Sequence, residues 1–349
     1  MPLHPKKKTK PKANITGKNP NALPTKPQQA APAPKPHRSG FVALIGRPNV
    51  GKSTLLNHLV GQKVAITSPV MQTTRHRIRG VITRPNAQLV VLDCPGFSKP
   101  VDTLGGYLVQ EGSAALDEAD VLALVMDITE PPGGGDLWLI EQVKRQNKPF
   151  ILILNKADRL AQNPQLIKER QAAYQAPILG VVVAGKVQKV PQGSPFKGTL
   201  VVSAKTGKHL LPLQERLFEL LPQGPAYYEA DALTDQRMRE MCAELIREQV
   251  LLQTQDELPH SVAVGIELFD ETQEPVRIEA TLYVNQNSQK GMVIGKDGER
   301  IKAIGTKARK PIEALLGVPV FLGLRVKLKQ NWRKDTPFLK SLGLAPPAQ

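Results

Sequence analysis

The chain has 349 residues and a net charge of +16, and no apolar run approaches the ~20 residues of a membrane-spanning helix. The N-terminus has no apolar signal region. The chain contains two cysteines, Cys94 and Cys242, whose spacing fits neither a metal site nor a disulfide. We therefore expect a cytoplasmic protein of two or three domains. Residues 1–39 hold nine Lys/Arg and no acid, and residues 277–340 hold fourteen Lys/Arg against five acids. These two basic zones flank a nearly neutral middle and indicate a polyanionic partner.

Residues 1–39 are rich in Lys, Pro, Ala and Gln and contain no aromatic residue. Such a segment buries too little apolar surface to fold, so we predict a disordered basic tail. Residues 40–222 alternate apolar runs with helical patterns, which indicates an α/β domain with a doubly wound, mostly parallel sheet. The predicted strands are 40–45, 77–83, 88–93, 120–126, 149–154 and 199–202, and the clearest helical patterns are 136–146 and 209–220.

The run G-R-P-N-V-G-K-S at residues 46–53 fits the phosphate-binding P-loop pattern. It follows an apolar strand-like run and precedes a helix-like stretch, which is the context that the motif requires. Glycines let backbone N–H groups converge on phosphate oxygens, and the following helix adds its positive N-terminal dipole. Lys52 is expected to pair with the β and γ phosphates, and Ser53 to ligate Mg²⁺. The predicted phosphate-binding residues are Gly46, Asn49, Val50, Gly51, Lys52, Ser53 and Thr54.

Two further motifs predict the site of Mg²⁺ and the γ phosphate. After the predicted strand at 88–92 comes D-C-P-G, in which Asp93 can hold Mg²⁺ through water and the Gly96 N–H can contact the γ phosphate. Between this motif and the P-loop lies Q-T-T-R-H-R. We expect Thr74, rather than Thr73, to complete the magnesium shell. The predicted magnesium ligands are Ser53, Thr74 and, through water, Asp93.

The base is predicted by N-K-A-D and S-A-K, each directly after a strand. The carboxylate of Asp158 can accept hydrogen bonds from N1–H and the 2-amino group of guanine, a donor pair that adenine lacks. Lys156 is expected to pack along the base, and a backbone N–H of S-A-K to reach guanine O6. The predicted base-binding residues are Asn155, Lys156, Asp158, Ser203, Ala204 and Lys205. The four motifs in this order form the GTPase signature set and favour GTP over ATP.

After a predicted linker at 223–235, residues 236–343 have a different pattern, and 344–349 form a short tail. A helix at about 235–253 precedes two alternating strands, a short helix, the turn G-K-D-G, a longer helix and a last strand at 320–328. This α-β-β-α-α-β order resembles a type II KH domain, in which a G-x-x-G turn lets the backbone of RNA approach closely. The predicted RNA-binding residues are Gly291, Ile294, Gly295, Lys296, Asp297, Gly298 and Lys302.

On these motifs the chain resembles the Era family of bacterial ribosome-assembly GTPases over residues 40–343, with Q-T-T-R-H-R as the most family-specific run. The run at 181–197 and the long N-terminal tail depart from the family and are interpreted as additions. The resemblance implies that GTP/GDP and Mg²⁺ bind, and that the RNA partner is the 3′ end of 16S ribosomal RNA. It also implies a monomeric protein that assists assembly of the 30S subunit, with peripheral membrane association as a weaker expectation.

One position bears on the mechanism. Ras-like enzymes orient the attacking water with a Gln just after D-x-x-G, and here that position is Phe97. Similar GTPases with an apolar residue there depend on a potassium ion held partly by the P-loop Asn, which corresponds to Asn49. We therefore expect slow intrinsic hydrolysis, stimulated by K⁺ and by a partner. The predicted catalytic residues are Lys52, Thr74, Gly96 and Asn49.

Two alternatives remain open. Because Phe97 replaces the usual Gln, the chain could be an RNA-binding or membrane-peripheral scaffold with vestigial GTPase activity. It could also be a tRNA-modification GTPase, although it has no suitably placed catalytic Cys and its KH-like end argues against this class.

Overall fold

The computed structural model describes residues 36–70, 73–97, 100–179, 193–254, 258 and 261–344. Most of the predicted basic tail, Gln72, the greater part of the predicted insertion at 181–197 and the end of the chain from residue 345 lie outside the described residues. Among the helices of the described ranges, none is long and apolar enough to cross a membrane.

Six strands, each rich in apolar residues, form the larger sheet. They are β1 (Arg38–Ile45), β2 (Ile78–Arg84), β3 (Ala87–Asp93), β4 (Val121–Asp127), β5 (Phe150–Asn155) and β6 (Phe196–Val201). Their spatial order is β2-β3-β1-β4-β5-β6, and all neighbours are parallel except β2 and β3. Because β1 has β3 on one side and β4 on the other, a crevice opens at its carboxyl end.

Helices cover both faces of this sheet. They are α1 (Lys52–Val60), α2 (Thr103–Glu118), α3 (Gly134–Arg145), α4 (Pro164–Leu179) and α5 (Leu210–Leu220). Side chains of α1 and α5 enter the core on one face, and side chains of α2, α3 and α4 enter the core on the other. Strands covered on both faces lose the apolar–polar alternation, which explains the continuous apolar run in β4.

The predicted doubly wound fold is confirmed, and the bounds of five strands agree with the prediction to within two residues. The sixth strand differs, because β6 begins at Phe196 rather than at 199. Phe196 is buried, and its ring lies 5.3 Å from that of Phe150 in the neighbouring strand. Phe196 and Lys197, which the sequence assigned to the insertion, therefore belong to the sheet.

The predicted linker at 223–235 lies against the larger sheet. The carboxamide oxygen of the fully buried Gln88 accepts hydrogen bonds from the N–H groups of Tyr227 and Tyr228, at 2.7 and 2.9 Å. The Nε2 of Gln88 donates to the carbonyl of Tyr228 at 2.9 Å. This linker is therefore hydrogen-bonded to β3 before the second domain begins.

A smaller sheet forms the C-terminal domain. Its strands are β7 (Ala263–Asp270), β8 (Val276–Val284) and β9 (Val320–Leu328), and its helices are α6 (Met238–Gln253), α7 (Asn287–Ile294) and α8 (Glu299–Leu316). β8 lies between antiparallel β7 and parallel β9. Buried side chains of α6 and α8 cover one face of this sheet. The chain order α6-β7-β8-α7-α8-β9 confirms the predicted KH fold.

A last helix, α9 (Thr336–Ser341), was not predicted from the sequence. Leu339 of this helix and the preceding Trp332 form one buried cluster with Leu104 and Leu108 of α2. Because α2 belongs to the larger sheet's domain, the end of the chain joins the two domains through an apolar contact.

Candidate nucleotide and RNA sites

The loop between β1 and α1 has a backbone suited to binding phosphate. Asn49 and Gly51 both have left-handed backbone conformations, with φ of 63° and 98°. Such turns point successive N–H groups into a shared concavity, here at the N-terminus of α1. A Cβ on Gly46 would lie 2.4 Å from the carbonyl oxygen of Val125, so glycine is needed there for close packing against β4.

Lys52 begins α1, and its side chain folds back into the loop. Its Nζ donates hydrogen bonds to the carbonyl oxygens of Gly46 and Arg47, both at 3.0 Å. Burial lowers the pKa of the Lys52 ammonium, and the nearby Asp93 opposes that shift. The Lys52 cation is thus held among oxygen atoms at the centre of the loop, where phosphate oxygens can replace the two carbonyls.

Ser53, Thr74 and Asp93 meet at one point although they come from three separate segments. The Ser53 hydroxyl donates to Oδ2 of Asp93 at 2.5 Å and lies 3.0 Å from Oγ1 of Thr74. Oγ1 of Thr74 also donates to Oδ2 of Asp93 at 3.4 Å. Thr73, by contrast, directs its hydroxyl to the carbonyl of Val70 at 2.6 Å. Of the two hydroxyls, that of Thr74 lies beside Ser53 and Asp93, and that of Thr73 does not.

These three residues fit a magnesium ion. Asp93 is fully buried, and within the described part of the chain its Oδ1 has no hydrogen-bond partner. Burial raises the pKa of the Asp93 carboxyl, although Lys52 counteracts the shift. Two hydroxyls beside a carboxylate are the hard oxygen donors that Mg²⁺ prefers. An ion bound there would also stabilise the buried carboxylate in its charged form.

Asn155, at the end of β5, braces two loops at once. Its Nδ2 donates to the carbonyl oxygen of Val50 in the phosphate loop at 2.8 Å. Its Oδ1 accepts a hydrogen bond from the N–H of Ala204, also at 2.8 Å. A Cβ on Gly51 would lie only 2.4 Å from that Nδ2. The phosphate loop and the loop after β6 are thus joined by one side chain.

The Ala204 N–H is therefore already bonded to protein. Of the predicted S-A-K group, the N–H of Ser203 is also bonded, to the carbonyl oxygen of Lys208 at 3.1 Å. That a backbone N–H of this group reaches guanine O6 stays a prediction. The Ser203 hydroxyl donates to Oδ1 of Asp158 at 2.6 Å and so orients this carboxylate.

Asp127 contacts a predicted base-binding residue, Lys156, and was not itself predicted from the sequence. Its carboxylate accepts a hydrogen bond from Nζ of Lys156 at 2.6 Å. Burial alone would raise the pKa of Asp127, but the bond from Lys156 holds it below its ordinary value. Asp127 ends β4, beside Asn155 at the end of β5. An acid at the carboxyl end of a neighbouring parallel strand was the signal that could have revealed it.

These loops surround a cleft of about 410 Å³. Of the predicted nucleotide-binding residues, those that line it are Asn49, Gly51, Lys52, Ser53, Thr54, Thr74, Gly96 and Lys156. Residues 66–69, which follow α1, also line the cleft; no sequence motif marks them. Asp158 lies in the chain between two lining residues, Lys156 and Arg159.

Gly96 and Phe97 face different surroundings. A Cβ on Gly96 would lie 2.7 Å from the backbone nitrogen of Pro48, so the D-C-P-G turn packs directly on the phosphate loop. The ring of Phe97 packs against Gly112 of α2 and lies 6.0 Å from the ring of Trp138 of α3. Phe97 thus belongs to the packing between helices and offers no polar group to the cleft.

In the C-terminal domain, the G-K-D-G turn connects α7 to α8. Gly295, Asp297 and Gly298 have φ of 77°, 52° and 78°. A Cβ on Gly295 would lie 2.9 Å from the backbone nitrogen of Arg300, so this position requires glycine. Lys296 is exposed at the tip, and the N-terminus of α8 follows directly, which is a favourable place for a phosphate group.

A groove of about 240 Å³ runs beside α8. Of the predicted RNA-binding residues, Lys302 lines this groove. Lys296, Asp297 and the two turn glycines lie before α8. Gly291 and Ile294 lie on α7. The groove has further lining residues that were not among the predicted RNA-binding residues: Ile301, Gly305, Thr306, Arg309, Leu322 and Leu324. Their spacing on α8 and β9 places them on one face of each element and could have indicated them.

Comparison with known families identifies both domains. Residues 41–156 match a family described as 50S ribosome-binding GTPase. Residues 257–333 match the KH domain family. These matches agree with the phosphate loop at the end of β1 and with the G-K-D-G turn between α7 and α8.

Relatives resemble the chain over nearly its whole length. The GTPase Era of Rippkaea orientalis is 45% identical over 311 residues, which cover 89% of this chain and 94% of the relative. The GTPase Era of Heliobacterium modesticaldum is 42% identical over 307 residues, covering 88% and 97%.

Two solved structures are similar as well. An Era variant from Aquifex aeolicus bound to GDP–AlF4⁻ superposes with a TM-score of 0.80 at 34% identity, covering 88% of this chain and all of that one. Era in complex with MgGDPNP and nucleotides 1506–1542 of 16S ribosomal RNA superposes with a TM-score of 0.79 at 34% identity, covering 89% and 100%.

Two glycines at the ends of α1 provide a test of the site geometry. We expect Gly51→Ala to weaken guanine-nucleotide binding by about tenfold or more, because the new methyl group displaces Asn155 and costs at least one buried hydrogen bond of ~1.5 kcal/mol. Fluorescence titration with a labelled GDP measures this change.

Gly61→Ala is the matched control. Gly61 also has a left-handed backbone, with φ of 80°, but in the described part of the chain no atom beyond its own chain neighbours lies within 4 Å of an added Cβ. It should lower the free energy of unfolding by about 1–2 kcal/mol through backbone strain alone and leave nucleotide affinity unchanged. Equal affinity losses in the two variants would contradict the proposed role of the Gly51–Asn155 contact.

Proposed function

The chain belongs to the Era family of GTPases, and we propose that it is a GTP-hydrolysing switch that binds the 3′ region of 16S ribosomal RNA and assists assembly of the 30S subunit. The observation that carries the GTPase part is the meeting of Ser53, Thr74 and Asp93 beside the buried Lys52. The chemistry of this cluster suits a magnesium-bound triphosphate, and the neighbouring Asp158 suits guanine.

In this proposal each residue of the phosphate site has a distinct task. Lys52 moves its hydrogen bonds from the carbonyls of Gly46 and Arg47 to the β and γ phosphates. The hydroxyls of Ser53 and Thr74 would hold Mg²⁺, and the carboxylate of Asp93 would hold it through water. The metal, when bound, neutralises charge that develops on the phosphate oxygens. The Gly96 N–H contacts the γ phosphate and loses that contact after hydrolysis.

We also propose that Asn49 is a ligand of K⁺. Its Nδ2 donates to the carbonyl oxygen of Pro69 at 2.7 Å, which leaves the carbonyl oxygen of this side chain available for a cation. Phe97 packs between helices and cannot orient water. A monovalent cation next to the phosphates would supply positive charge where other GTPases use side chains, so hydrolysis is expected to be slow and K⁺-stimulated.

RNA binding is proposed for the KH domain. The relative of known structure that was solved with nucleotides 1506–1542 of 16S ribosomal RNA covers 89% of this chain. In this protein the surplus of basic residues at 277–340 supplies charge for phosphate contacts. The groove between α8 and β9 combines aliphatic walls, such as Leu322 and Leu324, with Lys302 and Arg309, a combination that suits unstacked bases with an adjacent backbone.

We propose a monomer that acts in the cytoplasm; association with the membrane periphery stays a prediction.

Phe97 is the observation that favours a second function, an RNA-binding or membrane-peripheral scaffold with vestigial hydrolysis. Its ring faces the helices, so the cleft has no water-orienting Gln at this position. A GTPase switch and a scaffold differ in the expected rate of GTP hydrolysis, but both are expected to bind RNA. The tRNA-modification class is not favoured by any contact at the site.

Single-turnover hydrolysis of GTP distinguishes these functions. We expect the wild-type protein to hydrolyse GTP faster in K⁺ than in Na⁺ at equal ionic strength, by about tenfold or ~1.4 kcal/mol of barrier, and to leave ATP intact. Lys52→Ala should reduce the rate by on the order of a hundredfold or more, as expected for the loss of a charged group that stabilises the transition state.

Lys168→Ala, a change of an exposed lysine on α4, serves as the control and should hydrolyse GTP at the wild-type rate. Absence of turnover in both cations, with and without the 16S 3′-end RNA, would favour the scaffold. Equal rates in K⁺ and Na⁺ would remove the potassium site while leaving the GTPase assignment in place.

Two lysines of α8 test the RNA surface. Lys302 lines the groove, whereas Lys307 is also exposed but lies on another face of the same helix. We expect Lys302→Ala to weaken binding of an RNA corresponding to 16S nucleotides 1506–1542. The slope of log Kd against the logarithm of the salt concentration should fall by about the amount that one phosphate contact contributes.

Lys307→Ala should keep the wild-type affinity and salt slope. Filter binding or fluorescence anisotropy across a salt series measures both quantities. An affinity that does not vary with salt, or equal losses in the two variants, would show that the groove beside α8 is not the RNA surface.

A further inference from the structure

One loop touches both the nucleotide cleft and the C-terminal domain. Its described residues, 66–70 and 73–75, are called here the switch loop. Residues 66–69, Thr73 and Thr74 line the cleft. Ile66 is also buried in the same apolar cluster as Leu245 and Ile246 of α6. The switch loop is therefore packed between the nucleotide site and the KH domain.

Arg247 of α6 contacts the residue that precedes Thr74. Its guanidinium is 2% exposed and donates a hydrogen bond from Nη2 to the carbonyl oxygen of Thr73, the residue before Thr74. Its Nε donates to Glu244 at 2.8 Å. Burial alone would raise the pKa of Glu244, but Arg247 holds it below its ordinary value. The ion pair with Glu244 thus fixes the guanidinium against Thr73.

Glu248, the next residue on α6, holds the other end of the switch loop. Its buried carboxylate accepts a hydrogen bond from the N–H of Thr67 at 2.9 Å and forms an ion pair with Lys63. A buried carboxylate needs such partners, because an unpaired one would cost several kcal/mol. The contact therefore favours a conformation in which Thr67 lies against α6.

A third contact is made from the loop towards the KH domain. The guanidinium of Arg75, which is 5% exposed, donates to the carbonyl oxygen of Val262 at 2.8 Å and lies 5.4 Å from the centre of the Trp332 ring. Thr74 thus has a neighbour on each side that is bonded to the C-terminal domain. Its own hydroxyl points the other way, to Ser53 and Asp93.

All these contacts are present at the same time. The switch loop can therefore be bonded to α6 while the hydroxyl of Thr74 lies beside Ser53 and Asp93. We propose that Arg247 and Glu248 are positioning residues for the GTPase site, which hold the switch loop so that Thr74 can reach the magnesium bound with GTP. This inference rests on the proposed function. Its consequence is that the KH domain contributes to the preference of the site for GTP over GDP.

The buried charges explain why the coupling should be strong. In the described part of the chain, Nη1 of Arg247 has no hydrogen-bond partner, so the carbonyl of Thr73 and Glu244 are the groups that stabilise this buried cation. If the switch loop moved away, Arg247 would keep Glu244 but lose the carbonyl of Thr73, and a buried donor left without its acceptor is unfavourable. Movement of the loop after hydrolysis is therefore expected to be accompanied by a change at α6.

The test compares two Arg→Lys substitutions on α6. Arg247→Lys keeps the positive charge beside Glu244 but loses the fork of donors that serves Glu244 and Thr73 together. We expect it to weaken binding of a non-hydrolysable GTP analogue with Mg²⁺ by about tenfold and to change GDP affinity by less than twofold, since Thr74 binds the metal only with a γ phosphate present. Titration of the full-length protein with fluorescent nucleotides measures both values.

Arg239→Lys is the matched control, because Arg239 is exposed on the same helix and donates to the carbonyl of Ile266 within the C-terminal domain. It should leave both affinities unchanged. Unchanged GTP-analogue affinity in Arg247→Lys, or equal losses for both nucleotides, would overturn the inference alone. A wild-type protein that binds neither nucleotide would overturn the proposed function as well.

A measurement on the wild-type protein covers the case in which Arg247→Lys does not fold. Amide hydrogen exchange should be slower at Thr67, whose N–H is bonded to Glu248, with the GTP analogue than with GDP. Identical exchange in the two states would overturn the inference.

Discussion

Thr74 is held from two sides. Its hydroxyl lies with Ser53 and Asp93 at the predicted magnesium site, and the residues before and after it are hydrogen-bonded to the C-terminal domain. A loop restrained in this way cannot change at one end without affecting the other. This restraint is the physical basis on which a nucleotide site in one domain can influence an RNA-binding surface in the other.

The restraint on the loop also explains why charged residues that do not line the nucleotide cleft are buried near it. Arg247, Glu248 and Arg75 are buried charged residues, and burying them is unfavourable unless their partners are in place. Arg333, near the end of the chain, pairs with Asp102, the residue that caps α2. The switch loop follows the helix of the phosphate loop, and α2 follows the D-C-P-G motif. Each of these two segments is thus bonded to residues of the C-terminal region.

Much of the fold and the centre of the site could be predicted from the sequence, because the motifs are local. Lys52, Asp93 and Asn155 each follow or end a strand, and parallel strands bring their carboxyl ends together. Asp127 was missed because one acid after a strand is not a motif. The contacts of Arg247 and Glu248 join residues more than 170 positions apart, and no local pattern in the sequence indicates which distant segment a buried charge will meet. The hydrogen bond from the N–H of Ala204 likewise goes to a side chain, Asn155, from another strand.

The contacts of the switch loop lead to one expectation, that bound nucleotide and bound RNA affect each other's affinity through the two domains. Its direct test is the affinity of the wild-type protein for an RNA of 16S nucleotides 1506–1542, measured with Mg²⁺ and either a non-hydrolysable GTP analogue or GDP at equal salt. Coupling free energies between sites are typically about 1–3 kcal/mol, so we expect Kd values that differ by about fivefold or more between the two nucleotides. The same Kd with both nucleotides would contradict it.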